Sequence, residues 1–197
     1  DNPFTPVEAS DGFFANEETG NITDVEVTIS NNVRSISNYM FSDLKMNSLT
    51  MPSSVTRIGN YAFNGCSTLV DLNIPEKVPE IGDGTFYGCS SLTSINVETN
   101  NPNYCSVEGV LFNKDKTELI QYPIGNSRTE YVIPNSVTSI GEGAFYYCSS
   151  LTSVTIEAET PPTLGSEVLN NTNNCSIYVP CGILDAYKNA EGWSNYA

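Results

Sequence analysis

Apolar side chains return along the chain at a fixed phase every 23 residues. One unit runs Leu49-Thr50-Met51-Pro52, then Val55, Ile58-Gly59, Ala62-Phe63, Cys66 and Leu69. The next repeats it as Leu72, Ile74-Pro75, Val78, Ile81-Gly82, Thr85-Phe86, Cys89 and Leu92. A third copy carries Tyr131, Ile133-Pro134, Val137, Ile140-Gly141, Ala144-Phe145, Cys148 and Leu151. Upstream, Val27, Ile29, Val33, Ile36, Phe41 and Leu44 follow at an offset of 22, with Ser37 where Gly belongs. Downstream, Ile177-Tyr178-Val179-Pro180 restores the strand after the Phe and Cys positions have been lost. Terminal copies of a repeat array are expected to be worn, because one of their faces meets no neighbour.

Within a unit the spacing changes character. Leu69-x-x-Leu72-x-Ile74, Leu92-x-x-Ile95-x-Val97 and Leu151-x-x-Val154-x-Ile156 alternate apolar and small polar residues, which predicts a short strand with one face inward. Pro52, Pro75 and Pro134 end that strand where no ladder donor is needed. A second extended piece, Val-x-x-Ile, leads to Gly59, Gly82 or Gly141, whose common phase predicts either a positive φ or a close backbone approach. Ala-Phe-x-x-Cys suits a single helical or 3₁₀ turn, with Phe63 stacked over Phe86 and Cys66 over Cys89 at roughly the 4.8 Å spacing of paired strands. Each buried Phe, Leu or Ile contributes roughly 1.5–3 kcal/mol before entropy is subtracted, so a coil folds only against its neighbours.

The unit Ile-Pro-x-x-Val-x-x-Ile-Gly-x-x-Ala-Phe-x-x-Cys-x-x-Leu-x-x-Ile resembles the BspA-type leucine-rich repeats of bacterial surface proteins, over about residues 25–180. Ankyrin and tetratricopeptide arrays have periods near 33 and 34 and do not fit. The resemblance implies a mainly β, right-handed leucine-rich-repeat solenoid with short helical turns. We expect about five coils in one structural domain, with an amino-terminal cap over 1–24, the solenoid over 25–180 and a helical cap over 181–197.

Between Val97 and Ile133 the spacing is 36, so an insert at about 98–130 breaks the phase. Gly109–Phe112 and Thr117–Pro123, separated by the polar Asn113–Lys116, predict a β-hairpin. It either extends the sheet and spaces the coils or projects towards a ligand. Phe4, Phe13 and Phe14 are candidates to seal the first coil. At the other end Ile183, Leu184, Tyr187 and Ala190 have helical spacing, Gly192 stops the helix, and Trp193 packs behind to cover the last rung.

Composition narrows the function. With 8 basic against 23 acidic residues the net charge is -15, which disfavours nucleic acid and anionic membranes. The absence of histidine removes Ser-His-Asp and Cys-His pairs and His-ligated zinc. No stretch approaches the roughly 18 apolar residues of a membrane span, so the chain is expected to be soluble, without membrane insertion. Three of the six cysteines share a repeat phase beside Phe and read as buried hydrophobes. Cys175 and Cys181 would sit about 20 Å apart on a strand, too far for a disulfide, and no spacing fits a zinc template. We therefore expect no disulfides, no metal and no cofactor. The acidic residues, among them Glu76, Glu80, Asp83, Glu142, Glu157 and Glu159, lack the alternation of a calcium loop. They read as a solvated surface, although a carboxylate pair for glycoside hydrolysis meets only in space.

Two surfaces are candidates for recognition. The outward row of the sheet carries Asn47, Ser48 and Thr50; Val70, Asp71 and Asn73; Thr93, Ser94 and Asn96; and Thr152, Ser153 and Thr155, either as a binding face or as ordinary solvent-facing strand residues. Tyr61, Tyr87, Tyr146 and Tyr147 form a stripe on the turn side, suited to protein or glycan. The resemblance implies a secreted or surface-exposed bacterial protein associated with adhesion. The expected function is a monomeric, non-catalytic module that binds an extracellular protein, host matrix included. The alternatives are a carbohydrate-binding or spacer module and, further off, an acid-pair hydrolase.

Overall fold

The computed structural model describes residues 25–196. Within them the strands are β1 (Val25–Thr28), β2 (Ser35–Ile36), β3 (Met46–Thr50), β4 (Arg57–Ile58), β5 (Asp71–Ile74), β6 (Ser94–Val97), β7 (Tyr104–Val107), β8 (Val110–Asn113), β9 (Glu118–Gln121), β10 (Glu130–Ile133), β11 (Ser139–Ile140), β12 (Ser153–Ile156), β13 (Thr163–Leu164) and β14 (Ser176–Tyr178). Helix α1 (Leu184–Asn189) and a 3₁₀ turn at Trp193–Tyr196 follow. The amino-terminal cap expected over 1–24, with Phe4, Phe13 and Phe14, lies outside the described residues.

The pairings wind these strands into a solenoid with two ladders. The longer ladder pairs β1 with β3, β5 with β6, β10 with β12, and β12 with β14, all parallel. The shorter pairs β2 with β4, bridges Ile58 to Ile81, and continues through β9, β11 and β13. Seven rungs stand on the longer ladder, more than the five coils expected, because the part-coils at the ends and on both sides of the insert each contribute a strand. The predicted alternation is sharpest on β5, where Leu72 and Ile74 are wholly buried while Asp71 and Asn73 on either side of Leu72 are exposed, and it recurs on β10 and β12.

Hydrogen bonds between coils recur at the repeat phase. Gly59 N donates to Ile36 O at 2.9 Å, Gly82 N to Ile58 O at 2.9 Å, Gly141 N to Leu119 O at 2.8 Å and Gly165 N to Ile140 O at 2.8 Å. The glycine is required by proximity, since a Cβ on Gly59 would lie 2.6 Å from Asn38 N and one on Gly82 would overlap Asn60 N. Of the two reasons the sequence left open, positive φ does not apply at this position. The left-handed residues come two and six positions later, as Tyr39, Tyr61, Gly84, Gly143 and Glu167 and as Asp43, Gly65, Gly88, Tyr147 and Asn171. Between them the Ala-Phe-x-x-Cys segment forms turns closed by three-residue steps, such as Cys66 N to Phe63 O at 3.1 Å and Leu69 N to Cys66 O at 3.2 Å. The ring stack falls one coil earlier than expected: Phe41 and Phe63 stack with centroids 5.8 Å apart, whereas Phe63 and Phe86, both buried, are in successive coils tied through the backbone, Phe63 N donating to Thr85 O at 3.1 Å.

The insert is a three-stranded antiparallel meander rather than a lone hairpin. The predicted β8–β9 hairpin is present, its loop tied by Asn113 Oδ1, which accepts from the amides of Thr117 and Glu118 at 2.9 Å each. Strand β7, missed in the sequence, joins β8 through the two-residue turn Glu108-Gly109, with φ of 52° and 83° as a type I′ turn requires. The meander does not project. Val110, Leu111 and Phe112 are all buried, and they face two ways: Leu111 belongs to the core of the first coils, Val110 and Phe112 to that of the last. The turn end meets the long ladder, with Ile95 N donating to Gly109 O at 2.8 Å, and the open end meets the short one, with Ile81 N donating to Tyr104 Oη at 3.2 Å.

At the carboxy end, Tyr187 Oη donates to Ala158 O at 2.6 Å and Trp193 Nε1 to Pro162 O at 2.7 Å, with the two rings edge to face at 5.0 Å. Leu184 departs from its predicted place on the buried face and is half exposed. The six-residue helix is anchored by Tyr187 alone of its residues, one ring being enough to seat so short an element. Among the described residues no helix is long and apolar enough to cross a membrane.

The close approach can be tested by adding one methyl group. Gly82→Ala should lose about 2 kcal/mol or more in urea unfolding, because backbone must move to admit the Cβ. Gly141→Ala, whose Cβ would find its nearest neighbour, Ile120 O, at 3.2 Å, should lose under about 1 kcal/mol. Equal losses would remove proximity as the reason for the glycine.

Candidate functional site

Two left-handed positions per coil bracket the Ala-Phe turn, and at several of them the residue is tyrosine. Tyr39, Tyr61 and Tyr147 hold φ of 57°, 54° and 57°, a conformation that costs a non-glycine residue roughly 1–2 kcal/mol. Their rings form a ridge along the turn side. Tyr39 stacks on Tyr61 at 5.0 Å, Tyr61 meets Tyr87 edge-on at 6.1 Å, Tyr87 meets Tyr146 at 5.5 Å, and Tyr146 meets Tyr147 at 4.7 Å. Tyr39 and Tyr147 are each about half exposed. The ridge thus contains the whole predicted stripe and adds Tyr39, which stands 22 residues before Tyr61 and was legible from that offset.

The step from Tyr87 to Tyr146 skips a coil, and the reason lies in the insert. Leu119 takes the phase of Ile58 and Ile140 in the short ladder, and Tyr122 takes that of Phe, its amide donating to Ala144 O at 2.8 Å as Phe63 N donates to Thr85 O. Leu119 and Tyr122 are two residues closer in sequence than Ile140 and Phe145. This coil therefore has no room for the Gly-x-Gly turn that its neighbours project. The missing turn leaves a cleft of about 290 Å³ between one coil's Ile81–Tyr87 segment and the next full coil's Gly141-Glu142. Its charged lining residues are Asp83, Glu118 and Glu142, with no Lys or Arg, and Thr85, Tyr87, Tyr104, Asn113 and Gln121 complete its polar surface. Tyr87 Oη spans the mouth, donating to Glu142 Oε1 at 3.4 Å. Partial burial, then the negative charge of Glu142, pushes the Tyr87 phenol up to about 12, so it stays a donor at neutral pH. Tyr104 is also pushed up, chiefly by burial, and Glu80 and Glu118 add to the effect. Nothing in the sequence announces this cleft, because it is made by residues that are absent from a turn.

The predicted sheet-face residues point outward but do not form one surface. Register places Asp71 beside Ser94 and Asn73 beside Asn96 on β5–β6. Asn47, Ser48 and Thr50 lie on β3 at the next rung, and Thr152, Ser153 and Thr155 lie at or on β12, beyond the insert. Thr93 and Thr152 are partly structural, their hydroxyls donating to Val70 O at 3.0 Å and Thr129 O at 2.9 Å of the preceding rung. Thr155 stands between Val132 and Tyr178, which are 51% and 58% exposed and were not singled out in the sequence.

The phase-locked cysteines are structural. Cys66, Cys89 and Cys148 are buried free thiols, and Sγ of the first two donates to Phe41 O at 3.0 Å and Phe63 O at 3.1 Å, one coil back. Burial pushes all three thiols up, Cys89 to about 12, which keeps them from acting as thiolate nucleophiles. Among the described residues no group of three or more His, Cys, Asp or Glu is placed to hold a metal ion.

A model of the BspA type leucine rich repeat region matches residues 9–126 and 122–190 in six copies. No curated protein matches the chain. Among solved structures, the chain is similar to the pneumococcal vaccine antigen PcpA, with 29% identity and a TM-score of 0.70 over 80% of this chain and 39% of that one. It is similar to a leucine rich cell surface protein of Faecalibacterium prausnitzii A2-165, with 31% identity and a TM-score of 0.69 over 79% and 41%. A leucine-rich repeat protein of Eubacterium ventriosum ATCC 27560 aligns at 26% identity and a TM-score of 0.55 over 80% and 54%. The chain thus spans about two fifths of the first two of these proteins.

The left-handed tyrosines should be dispensable for folding. Tyr147→Asn, which installs the residue type that Asn171 shows at the same phase one coil on, should leave the urea unfolding free energy unchanged or raise it by up to about 1 kcal/mol. A loss of more than about 1 kcal/mol would make the ring a structural element.

Proposed function

Since the chain belongs to the family of BspA-type leucine-rich repeats, we propose that it is a non-catalytic interaction module, carried on or released from a bacterial surface, that binds an extracellular protein in adhesion. The observation that carries this reading is the outward side of the long ladder. There, side chains such as Asn73 and Asn96, or Val132, Thr155 and Tyr178, are held in register by parallel strands. Little side-chain or backbone freedom is lost when a partner docks on such an array. Exposed Val132 and Tyr178 among short polar residues supply the apolar and aromatic anchors on which protein interfaces depend. Two structural neighbours support placement at the surface by their own descriptions, one as a vaccine antigen and one as a cell surface protein.

Immobilised extracellular matrix proteins and a glycan array, screened in parallel, should give protein hits only. The triple substitution Asn73→Arg, Asn96→Arg and Thr155→Arg puts three bulky cations on the face and should weaken those hits by about 100-fold or more. Unchanged affinity would sink the sheet-face assignment, and glycan-only hits would replace the reading with a carbohydrate-binding one.

A further inference from the structure

The cleft left by the shortened coil and the tyrosine ridge that crosses it form a second recognition surface, and the geometry points to its occupant: a basic, arginine-bearing segment of a partner protein. This rests on the reading of the chain as a protein-binding module and names the partner's chemistry at a different face.

Size comes first. At about 290 Å³ the cleft lies just below the range of pockets that enclose whole small ligands, so it suits one long side chain with its flanking backbone outside. Charge comes second. Asp83, Glu118 and Glu142 line the cleft and no Lys or Arg does. Glu80 lies close enough to Tyr104, and Glu167 close enough to Tyr87 and Tyr146, to act on those phenols. The one ion pair among the described residues, Arg128 to Glu108 at 3.0 Å, involves none of these carboxylates. An incoming cation therefore has no salt bridge within the chain to displace. Surface form comes third. A guanidinium can enter the cleft, donate to two carboxylates in its fork geometry and keep its plane against tyrosine rings, whereas an ammonium offers a single point of charge. The ridge runs outward in both directions, to Tyr39 and to Tyr147, so further arginines two or more residues away meet ring faces too. Tyr39, Tyr61 and Tyr147 hold these positions despite their left-handed backbone, while Gly84 and Gly143 occupy the same turns elsewhere without strain.

The test is fluorescence anisotropy of a labelled peptide of alternating glycine and arginine, at moderate salt. Bulk attraction to an acidic protein is separated from the site by paired variants of equal charge change. Asp83→Asn with Glu142→Gln should weaken binding by about ten-fold or more, whereas Glu157→Gln with Glu159→Gln, remote and exposed, should change it less than about two-fold. The matching lysine peptide should bind several-fold more weakly than the arginine one. Thermal melts confirm that each variant is folded. Equal weakening in the two carboxylate pairs, or binding of a neutral hexasaccharide in place of the peptide, would overturn the proposal. Its failure is distinguishable from failure of the sheet-face reading. If the cleft proposal alone fails, the double variant Asp83→Asn, Glu142→Gln still captures the matrix-protein hits that the triple arginine variant loses; if the sheet-face reading fails, the triple arginine variant keeps them.

Discussion

The hydrogen bond from one glycine amide to the isoleucine or leucine carbonyl a coil earlier constrains everything around it. Gly59 to Ile36, Gly82 to Ile58, Gly141 to Leu119 and Gly165 to Ile140 repeat it within 0.1 Å of one another, at 2.8–2.9 Å. To make it, one backbone lies on the next, and at Gly59, Gly82 and Gly165 no Cβ fits between, which fixes the glycine there and brings whole coils into contact. At that spacing the turn side of the interior takes one ring and one small residue per full coil, beside the Val, Ile and Leu side chains of the two ladders. Phe and Cys fill it, and the buried thiol of Cys66 or Cys89 satisfies itself on the preceding Phe carbonyl. Two left-handed residues then carry the chain around the turn. Core, turn and surface ridge are consequences of one contact distance.

The insert shows what happens when that contact is interrupted. Its central strand is buried on both faces, with Leu111 in one apolar cluster and Val110 and Phe112 in the other, so it joins two cores that would otherwise end in open coils. Backbone groups at its ends are satisfied across the break, by Gly109 on one ladder and the Tyr104 hydroxyl on the other. The phase is recovered at Leu119 and Tyr122, but with two residues fewer in the turn, and the deficit opens the acidic cleft beneath Tyr87. A loop that preserves stacking inside thereby creates a concave site outside.

The repeat was legible because each of its apolar positions is buried for the same reason in every coil. Phe63, Cys66, Leu69, Leu72 and Ile74 needed only periodicity to be placed in the core. The role of Gly59 and Gly82 was narrowed but not decided, since a close approach and a positive φ favour the same residue. Strand β7 leaves no periodic signature because Tyr104-Cys105-Ser106-Val107 has no sharp polar alternation, and all four residues are half-buried in the structure. The residues of the outward rows are exposed or half-buried, as alternation along a strand implies, yet their division by the insert depends on how the meander folds back between β6 and β10. The cleft was illegible for the same reason: it follows from where Tyr122 re-enters the stack, which the spacing from Val97 to Ile133 reports only as a net difference.

Continuity of the stack through the insert is the point on which fold and cleft both stand, and amide hydrogen exchange followed by NMR measures it most directly. The amides of Gly59, Gly82, Tyr122, Gly141 and Gly165 each donate to a neighbouring coil. They should exchange only through one shared opening, with a single free energy on both sides of residues 98–130. Fast exchange at Tyr122 and Gly141, or separate opening free energies for the coils before and after the insert, would contradict a continuous stack and with it the origin of the cleft.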